Sequence, residues 1–205
     1  MNLNLNSMGN KKILVFATSN NNKIIEANKL LSSGTPYNII SKKDAGILEE
    51  IPETGNTIEE NAIQKARYIY DNYKKDCFAE DTGLIIDALN GEPGIYSGRY
   101  AGEDKNDKKN IAKVLNNLKG KSNRNARFKT VIALILKGKL YIFEGLVEGK
   151  IADNPRGESG FGYDPVFVPH GFDKTFSELG LEIKNNISHR AKAMKKLNEF
   201  LLKQK

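Results

Sequence analysis

The chain has 205 residues, 39% of them hydrophobic and 28% charged, an ordinary globular balance that predicts one two-lobed domain over 12–205 after a flexible segment 1–11. Its net charge of +7 comes from 32 basic against 25 acidic side chains, and only 6 of the basic ones are arginine. That excess suits small polyanions. The scarcity of arginine, the absence of tryptophan and the lack of a zinc-finger or basic-zipper pattern exclude specific reading of nucleic acid. No apolar run reaches the roughly 18–20 residues that a membrane-spanning helix needs. The N-terminus lacks the apolar centre of a signal peptide, and the lone Cys77 excludes an internal disulfide, so a cytoplasmic location is expected.

In chain order, Ile13–Ala17 reads as a strand buried on both faces. It runs through Thr18-Ser19-Asn20 into a helix with Ile24, Ala27, Leu30 and Leu31 inward, stopped at Gly34. Residues 37–40 make a second strand. Thr57-Ile58-Glu59-Glu60 predicts a capping box, Thr57 capping and Glu60 reaching back, for a helix to about Tyr73. Cys77-Phe78-Ala79 reads as a short strand ending at Glu80-Asp81-Thr82-Gly83, with Cys77 as buried filler. Residues 90–102 form an ordered irregular loop, and a polar helix covers about 106–118. Phe128–Leu136 and Leu140–Glu148 flank the hairpin signal Lys137-Gly138-Lys139. Residues 153–165, rich in Gly and Pro, are expected to be flexible before a strand at 166–168, and a last amphipathic helix, capped by Ser188, runs to Leu202. Strands alternate with helices early and pair as a hairpin later, which predicts a mixed α/β sheet.

Two phosphate-site patterns fail. Gly120-Lys121-Ser122 has Leu115 where a P-loop needs glycine, and Gly160-Phe161-Gly162 is followed by Pro165 where a dinucleotide fingerprint needs glycine. Four groups of residues remain. Thr18 and Asn20 precede a helix that carries Lys23 in its first turn, an arrangement that also serves as a simple N-cap. Glu53, Glu80 and Asp81 offer hard oxygen ligands suited to Mg²⁺ carried in with a phosphate chain, one of them suited to proton abstraction from water, or else Glu80-Asp81 is a solvated turn; Lys65 is placed to reach the same phosphates or is a surface lysine. Gly160–Pro165 offers aromatic faces and a carboxylate to a base, or a plain turn. Ser188-His189-Arg190 opens the last helix, where a cation opposes the helix dipole by about 0.3–1 kcal/mol. An anion or carbonyl partner explains Arg190 there, and without a structural partner its removal leaves stability unchanged.

Taken together, Phe16–Lys23, Glu53–Ala62, Ala79–Leu84, Leu89–Gly102, Gly160–Pro165 and Ile187–Ala191 resemble the inosine triphosphate pyrophosphatase family, the RdgB-like enzymes that hydrolyse non-canonical purine nucleotides. The resemblance implies a long mixed central sheet with flanking helices, two lobes about an active-site cleft, and a homodimer. It implies Mg²⁺-dependent attack of water on the α-phosphorus of a purine nucleoside triphosphate, releasing pyrophosphate. By position, Thr18, Asn20, Lys23 and Lys65 hold the triphosphate, Glu53 and Asp81 bind metal with Glu80 beside them, and Asp81 activates the water. Thr82 stands where bacterial members commonly carry Ser, and it contacts substrate. Phe161 stacks on the base, with Gly162, Tyr163, Asp164, Lys184, Ser188, His189 and Arg190 around it, Arg190 at the 6-keto oxygen. Gly98 replaces a more usual Ala and loosens the Tyr96–Tyr100 loop, which counts against Arg99 as a phosphate contact. Two other readings stand beside this one: a pyrophosphatase for canonical or pyrimidine triphosphates, and a nucleotide- or RNA-binding module without chemistry.

Overall fold

A computed structural model describes residues 11–31 and 35–204. The expectations for residues 1–10 and for Gly34 lie outside the described residues. Its elements are β1 (Lys12–Phe16), α1 (Asn21–Leu31), β2 (Tyr37–Ser41), α2 (Ile58–Tyr73), β3 (Cys77–Ile86), β4 (Pro93–Gly94), α3 (Asp107–Asn117), β5 (Asn125–Leu136), β6 (Lys139–Ile151), β7 (Phe167–Pro169), α4 (Phe176–Ile187) and α5 (His189–Leu202). The strands form one mixed sheet in the order β2-β1-β3-β5-β6-β7, with β4 beside β3. β1 pairs in parallel with β2 and β3, and the other pairings are antiparallel.

Alternation along β3 and β5 sends successive side chains to opposite faces. Phe78, Ile132 and Leu134 pack with α1 and α5 through Ala27, Leu31, Met194 and Leu197. Cys77, Ala79, Val131 and Ala133 pack on the other face against Ala62, Ala66 and Ile69 of α2. Past Gly83 the same two strands enter a separate apolar cluster, where Leu84, Ile86 and Phe128 meet Val114 of α3, Phe167 and Phe176. Two lobes therefore share one sheet, and the polar stretch Glu80-Asp81-Thr82 lies between their cores.

β3 is a single ten-residue strand, so Glu80 and Asp81 sit in its middle instead of at its end. Its partner β5 covers it from Cys77 to Ile86, paying no heed to the polar residues, because ladder bonds use backbone alone. On the other side β1 accompanies β3 only as far as Phe78. The crevice opens because β1 stops.

The helix missing from the expectations is α4, with Thr175 and Glu178 forming a reciprocal capping box. Gly180 at φ 77 interrupts its pattern, and Leu181 and Ile183 are exposed beyond it, which masks the apolar period. At α2, Thr57 caps the Glu60 amide as expected, but Glu60 reaches back to the Asn56 amide. The hairpin strands are longer than expected, 125–136 and 139–151. Gly145 on β6 lets α5 lie against the sheet: a Cβ there would stand 1.9 Å from the His189 carbonyl oxygen. This close approach carries the start of α5 down onto the cleft floor.

Candidate active site

Strand alternation separates the two adjacent carboxylates. Glu80 points toward α1 and α5, where Arg190 Nε donates to both its oxygens at 2.9 and 3.2 Å and Lys23 Nζ lies 3.2 Å away. Asp81 points toward α2, where Lys65 Nζ donates to its Oδ1 at 2.8 Å and to Glu53 Oε1 at 2.8 Å. Asp81 Oδ2 is buried and accepts no hydrogen bond among the described residues.

Burial would push Glu80 up, but Arg190 and Lys23 outweigh it and hold the carboxyl below its ordinary value. For Asp81 burial wins, and its carboxyl is held above the ordinary aspartate value against the pull of Lys65. Glu53, half in solvent, is desolvated less than it is attracted by Lys65, Lys23 and Arg99, so it is lowered. Glu80 is a neutralised buried anchor. Asp81 and Glu53 share Lys65 and border the cleft.

Thr18 and Asn20 sit where β1 gives way to α1. Thr18 Oγ1 accepts from the Asn20 amide at 3.1 Å, and Asn20 Oδ1 accepts from the Lys23 amide at 3.3 Å, so the loop is built as an N-cap that presents Lys23. These residues, with Lys65 and Glu53, line an open cavity of about 770 Å³. Beyond Asp81 a second cavity of about 370 Å³ is walled by Thr82, Phe161, Lys184, His189 and Arg190. Asn20, Lys23, Glu53, Arg99 and Lys105 line both, so the cavities are one continuous cleft. Another groove, bordered by Asp87, Arg127, Glu148 and His170, holds none of the expected residues.

The second cavity is lined by paired charges. Arg190 Nη1 donates to Glu26 Oε2 at 2.5 Å, Lys184 Nζ donates to Asp164 Oδ2 at 2.7 Å, and Glu26 Oε1 lies 3.8 Å from Lys184. The alternating chain Lys23, Glu80, Arg190, Glu26, Lys184, Asp164 thus links the larger cavity to the Gly160 loop. Asp164 also accepts from the Phe161 amide at 2.9 Å, and Asp107 accepts from the Gly162 amide at 2.7 Å, so the segment expected to be flexible is tied down at its tip. Lys184 Nζ stands 4.2 Å from the Phe161 ring centroid.

Arg190 therefore has structural partners, and the expectation that its loss costs no stability is corrected: two buried carboxylates, not a dipole alone, decide its energy. Its Nη2 has no hydrogen-bond partner among the described residues, and the residue borders the cavity. His189 stacks on Phe128 with centroids 4.6 Å apart, and its Nδ1 is buried without a partner. Burial, then Arg190 and Lys184, hold its pKa well below the ordinary histidine value, so the ring is neutral.

Three expected residues serve mainly as supports. Ser188 caps α5 by accepting from the Ala191 amide at 3.2 Å and does not border the cleft. Tyr163 buries its ring and donates its hydroxyl to the Ser97 carbonyl at 2.9 Å. The Thr82 hydroxyl shares a 2.8 Å hydrogen bond with that of Thr130, while Thr82 still borders the cavity. Glu26 went unread because an acidic residue inside an amphipathic helix looks like a solvated one. Its signal was its place on the inward face, one position before Ala27.

The Ham1 family model matches residues 14–200. The chain belongs to the Ham1 family. It is 54% identical over 188 residues to the dITP/XTP pyrophosphatase of Flavobacterium johnsoniae, covering 92% of this chain and 97% of the relative. The dITP/XTP pyrophosphatase of Bacillus subtilis is 49% identical over 193 residues, 93% of this chain and 97% of that one. The solved Ham1 protein of Staphylococcus aureus superposes with a TM-score of 0.87 at 42% identity, over 95% of this chain and all of the other. That of Coxiella burnetii gives 0.87 at 39% identity, over 93% and 98%. This Ham1-family fold is the mixed sheet with flanking helices that the sequence predicts.

Proposed function

We propose that the chain hydrolyses the non-canonical purine triphosphates dITP, ITP and XTP to the nucleoside monophosphate and pyrophosphate, with Mg²⁺ at Asp81 and Glu53. The observation that carries this reading is Asp81 Oδ2, a buried carboxylate oxygen that accepts no hydrogen bond among the described residues, in a residue bordering a cleft that joins a basic cavity of about 770 Å³ to a base-sized one of about 370 Å³. The names of the relatives support the same reaction.

The residues fit a hard cation. A buried carboxylate oxygen left without a partner costs about 1–3 kcal/mol, and Lys65 answers only Oδ1. No group of three or more His, Cys, Asp or Glu among the described residues is arranged to hold an ion alone, so Asp81 and Glu53 would share it with phosphate and water. When bound, the ion supplies charge compensation and polarisation to the phosphate.

The protein's own groups do the rest. Lys23 and the amides at the start of α1 receive phosphate oxygens. Asp81, raised by burial toward neutrality, takes the proton from water at the α-phosphorus. Glu80 anchors Arg190 and Lys23. At the base, Arg190 Nη2 donates to a 6-keto oxygen, whereas the 6-amino group of adenine would set donor against donor, at about 1–3 kcal/mol per unpaired group. We extend the reading to a cytoplasmic homodimer on the family resemblance.

Incubation with Mg²⁺ and ITP, XTP, dITP, ATP, GTP or CTP, with the phosphate product identified, tests it. Pyrophosphate from ITP, XTP and dITP, much faster than from ATP or GTP, is expected. Orthophosphate as first product sinks the cleavage site, equal rates on ATP sink the selectivity, and binding without turnover favours the non-catalytic module.

A further inference from the structure

We propose that Asp107, at the start of α3, is a positioning residue for the base: by holding the Gly162 amide it fixes the plane of the Phe161 ring. The inference rests on the hydrolase reading of the same cleft and goes beyond it, since Asp107 acts through Phe161 and touches neither base nor phosphate.

The backbone around Phe161 has no conformation of its own to impose. Gly160 stands at φ 89 and Gly162 at φ 62, both in the left-handed region, and a Cβ on Gly162 would meet nothing within 4 Å. Hydrogen bonds must therefore set the direction of the ring. The segment is anchored on either side: the Ser159 hydroxyl donates to the Ser177 carbonyl at 2.5 Å, the Ser177 hydroxyl donates back to the Ser159 carbonyl, and Tyr163 is buried in the lobe core. Between these anchors two amides are held. That of Phe161 donates to Asp164, which belongs to the same loop and is itself paired with Lys184. That of Gly162 donates to Asp107 Oδ2 at 2.7 Å, from a position 55 residues away in the chain. Among the described residues it is the one hydrogen bond that ties residues 160–162 to another element.

The far end of this tie is rigid. α3 packs Ile111 and Val114 into the same lobe core, and its buried Asn110 donates to the Gly98 carbonyl at 3.1 Å and accepts from the Ala101 amide at 2.7 Å. Asp107 and Phe161 both border the cavity of about 370 Å³. Lys184 Nζ and the Arg190 guanidinium carbon lie 4.2 and 5.6 Å from the ring centroid, so the tilt of the ring also sets its distance from the cations that frame the cavity. A ring free to swing would have to be ordered by each arriving base, and a tie already made removes that entropic cost. A carboxylate in the first turn also answers the helix dipole, but that role depends on charge, whereas the tie depends on an acceptor oxygen. Asparagine keeps the second and loses the first.

Calorimetric titration with inosine monophosphate and, separately, with inorganic pyrophosphate, both with Mg²⁺, tests this on the wild type, Asp107→Ala, Asp107→Asn, Phe161→Ala and the Asp107→Ala, Phe161→Ala double variant. Asp107→Ala is expected to weaken inosine monophosphate roughly tenfold and to leave pyrophosphate within about twofold. The KM for ITP should rise with kcat held within about twofold, and Asp107→Asn should restore both. Once Phe161→Ala has removed the ring, adding Asp107→Ala should change the monophosphate constant by less than about twofold. An unchanged constant in Asp107→Ala, equal weakening of both ligands, Asp107→Asn as poor as Asp107→Ala, the full loss repeated on top of Phe161→Ala, or no monophosphate binding by the wild type overturns the assignment. A wild type that binds inosine monophosphate yet releases no pyrophosphate from ITP sinks the hydrolase reading instead, and the Asp107 comparison is still decided by the titration.

Discussion

The two halves of the cleft are built on opposite principles. At the end proposed for the base the buried carboxylates have their cations: Glu26 and Glu80 hold Arg190, and Asp164 holds Lys184. At the phosphate end the groups are more open, and Asp81 Oδ2 and Arg99 lack hydrogen-bond partners among the described residues. Recognition of a neutral base needs a preorganised, self-neutralised frame, since the ligand brings no charge to balance it. A polyanion arriving with a cation brings its own, so the site that receives it is left electrostatically incomplete. Removing a group from the first half should therefore cost stability, and from the second half activity.

The largest effect is expected at Asp81. Asp81→Asn keeps the shape and the Lys65 contact but removes the charge and the basicity, so kcat should fall by roughly 10²–10⁴ with the thermal midpoint nearly unchanged. Turnover within a few-fold of wild type, in a folded variant, would remove Asp81 from the chemistry.

Arg190→Ala tests the other half. It leaves Glu80 and Glu26 buried and uncompensated, which should cost about 3–5 kcal/mol and lower the midpoint by roughly 10 °C. Arg190→Lys, which retains the charge but not the fork, should stay folded and lose kcat/KM on ITP more than on ATP. Equal losses on both substrates would place Arg190 in the frame alone and not at the base edge.

Acidification strikes the same half. The neutral His189 has a folded pKa depressed below its unfolded value near 6.5, so its contribution is fully present above 6.5 and is lost as pH falls toward the folded pKa, where the unfolded chain alone binds the proton. Stability should drop by up to about 1.4 kcal/mol per pH unit below 6.5 from this group. Chemical denaturation at pH 7.0 and 5.5 checks it, and His189→Gln should flatten the slope. A slope identical in the variant assigns the pH dependence elsewhere.

Most of the fold could be read from the chain because local signals and tertiary packing agree: Thr57 and Ser188 cap where a hydroxyl before an apolar period should. The misreadings share a cause. Glu80 and Asp81 looked like a strand end because polar residues break an apolar run, yet the β5 ladder carries β3 straight through them. Glu26 went unread, and Arg190 looked unsupported, because each answers a charge far away in sequence. Most residues that line the cleft were legible; their pairing was not, since it is set by strand alternation and by where β1 ends.

The smallest effect sharpens the comparison at its midpoint, Thr82, which lies between the two halves. Its hydroxyl bonds that of the fully buried Thr130, and Thr82 also faces the cleft, so it belongs to both the frame and the site. Thr82→Ser retains the hydroxyl and should leave both stability and kcat/KM close to wild type. Thr82→Val is nearly isosteric but orphans the Thr130 oxygen, at a cost of about 1–3 kcal/mol. If the hydroxyl also meets substrate, Thr82→Val loses several-fold in kcat/KM beyond what Thr130→Val loses, since removing Thr130 breaks the same hydrogen bond from the side away from the ligand. Equal kinetic losses in the two valine variants would make Thr82 a part of the frame alone, and the boundary between the two halves would then fall at Asp81.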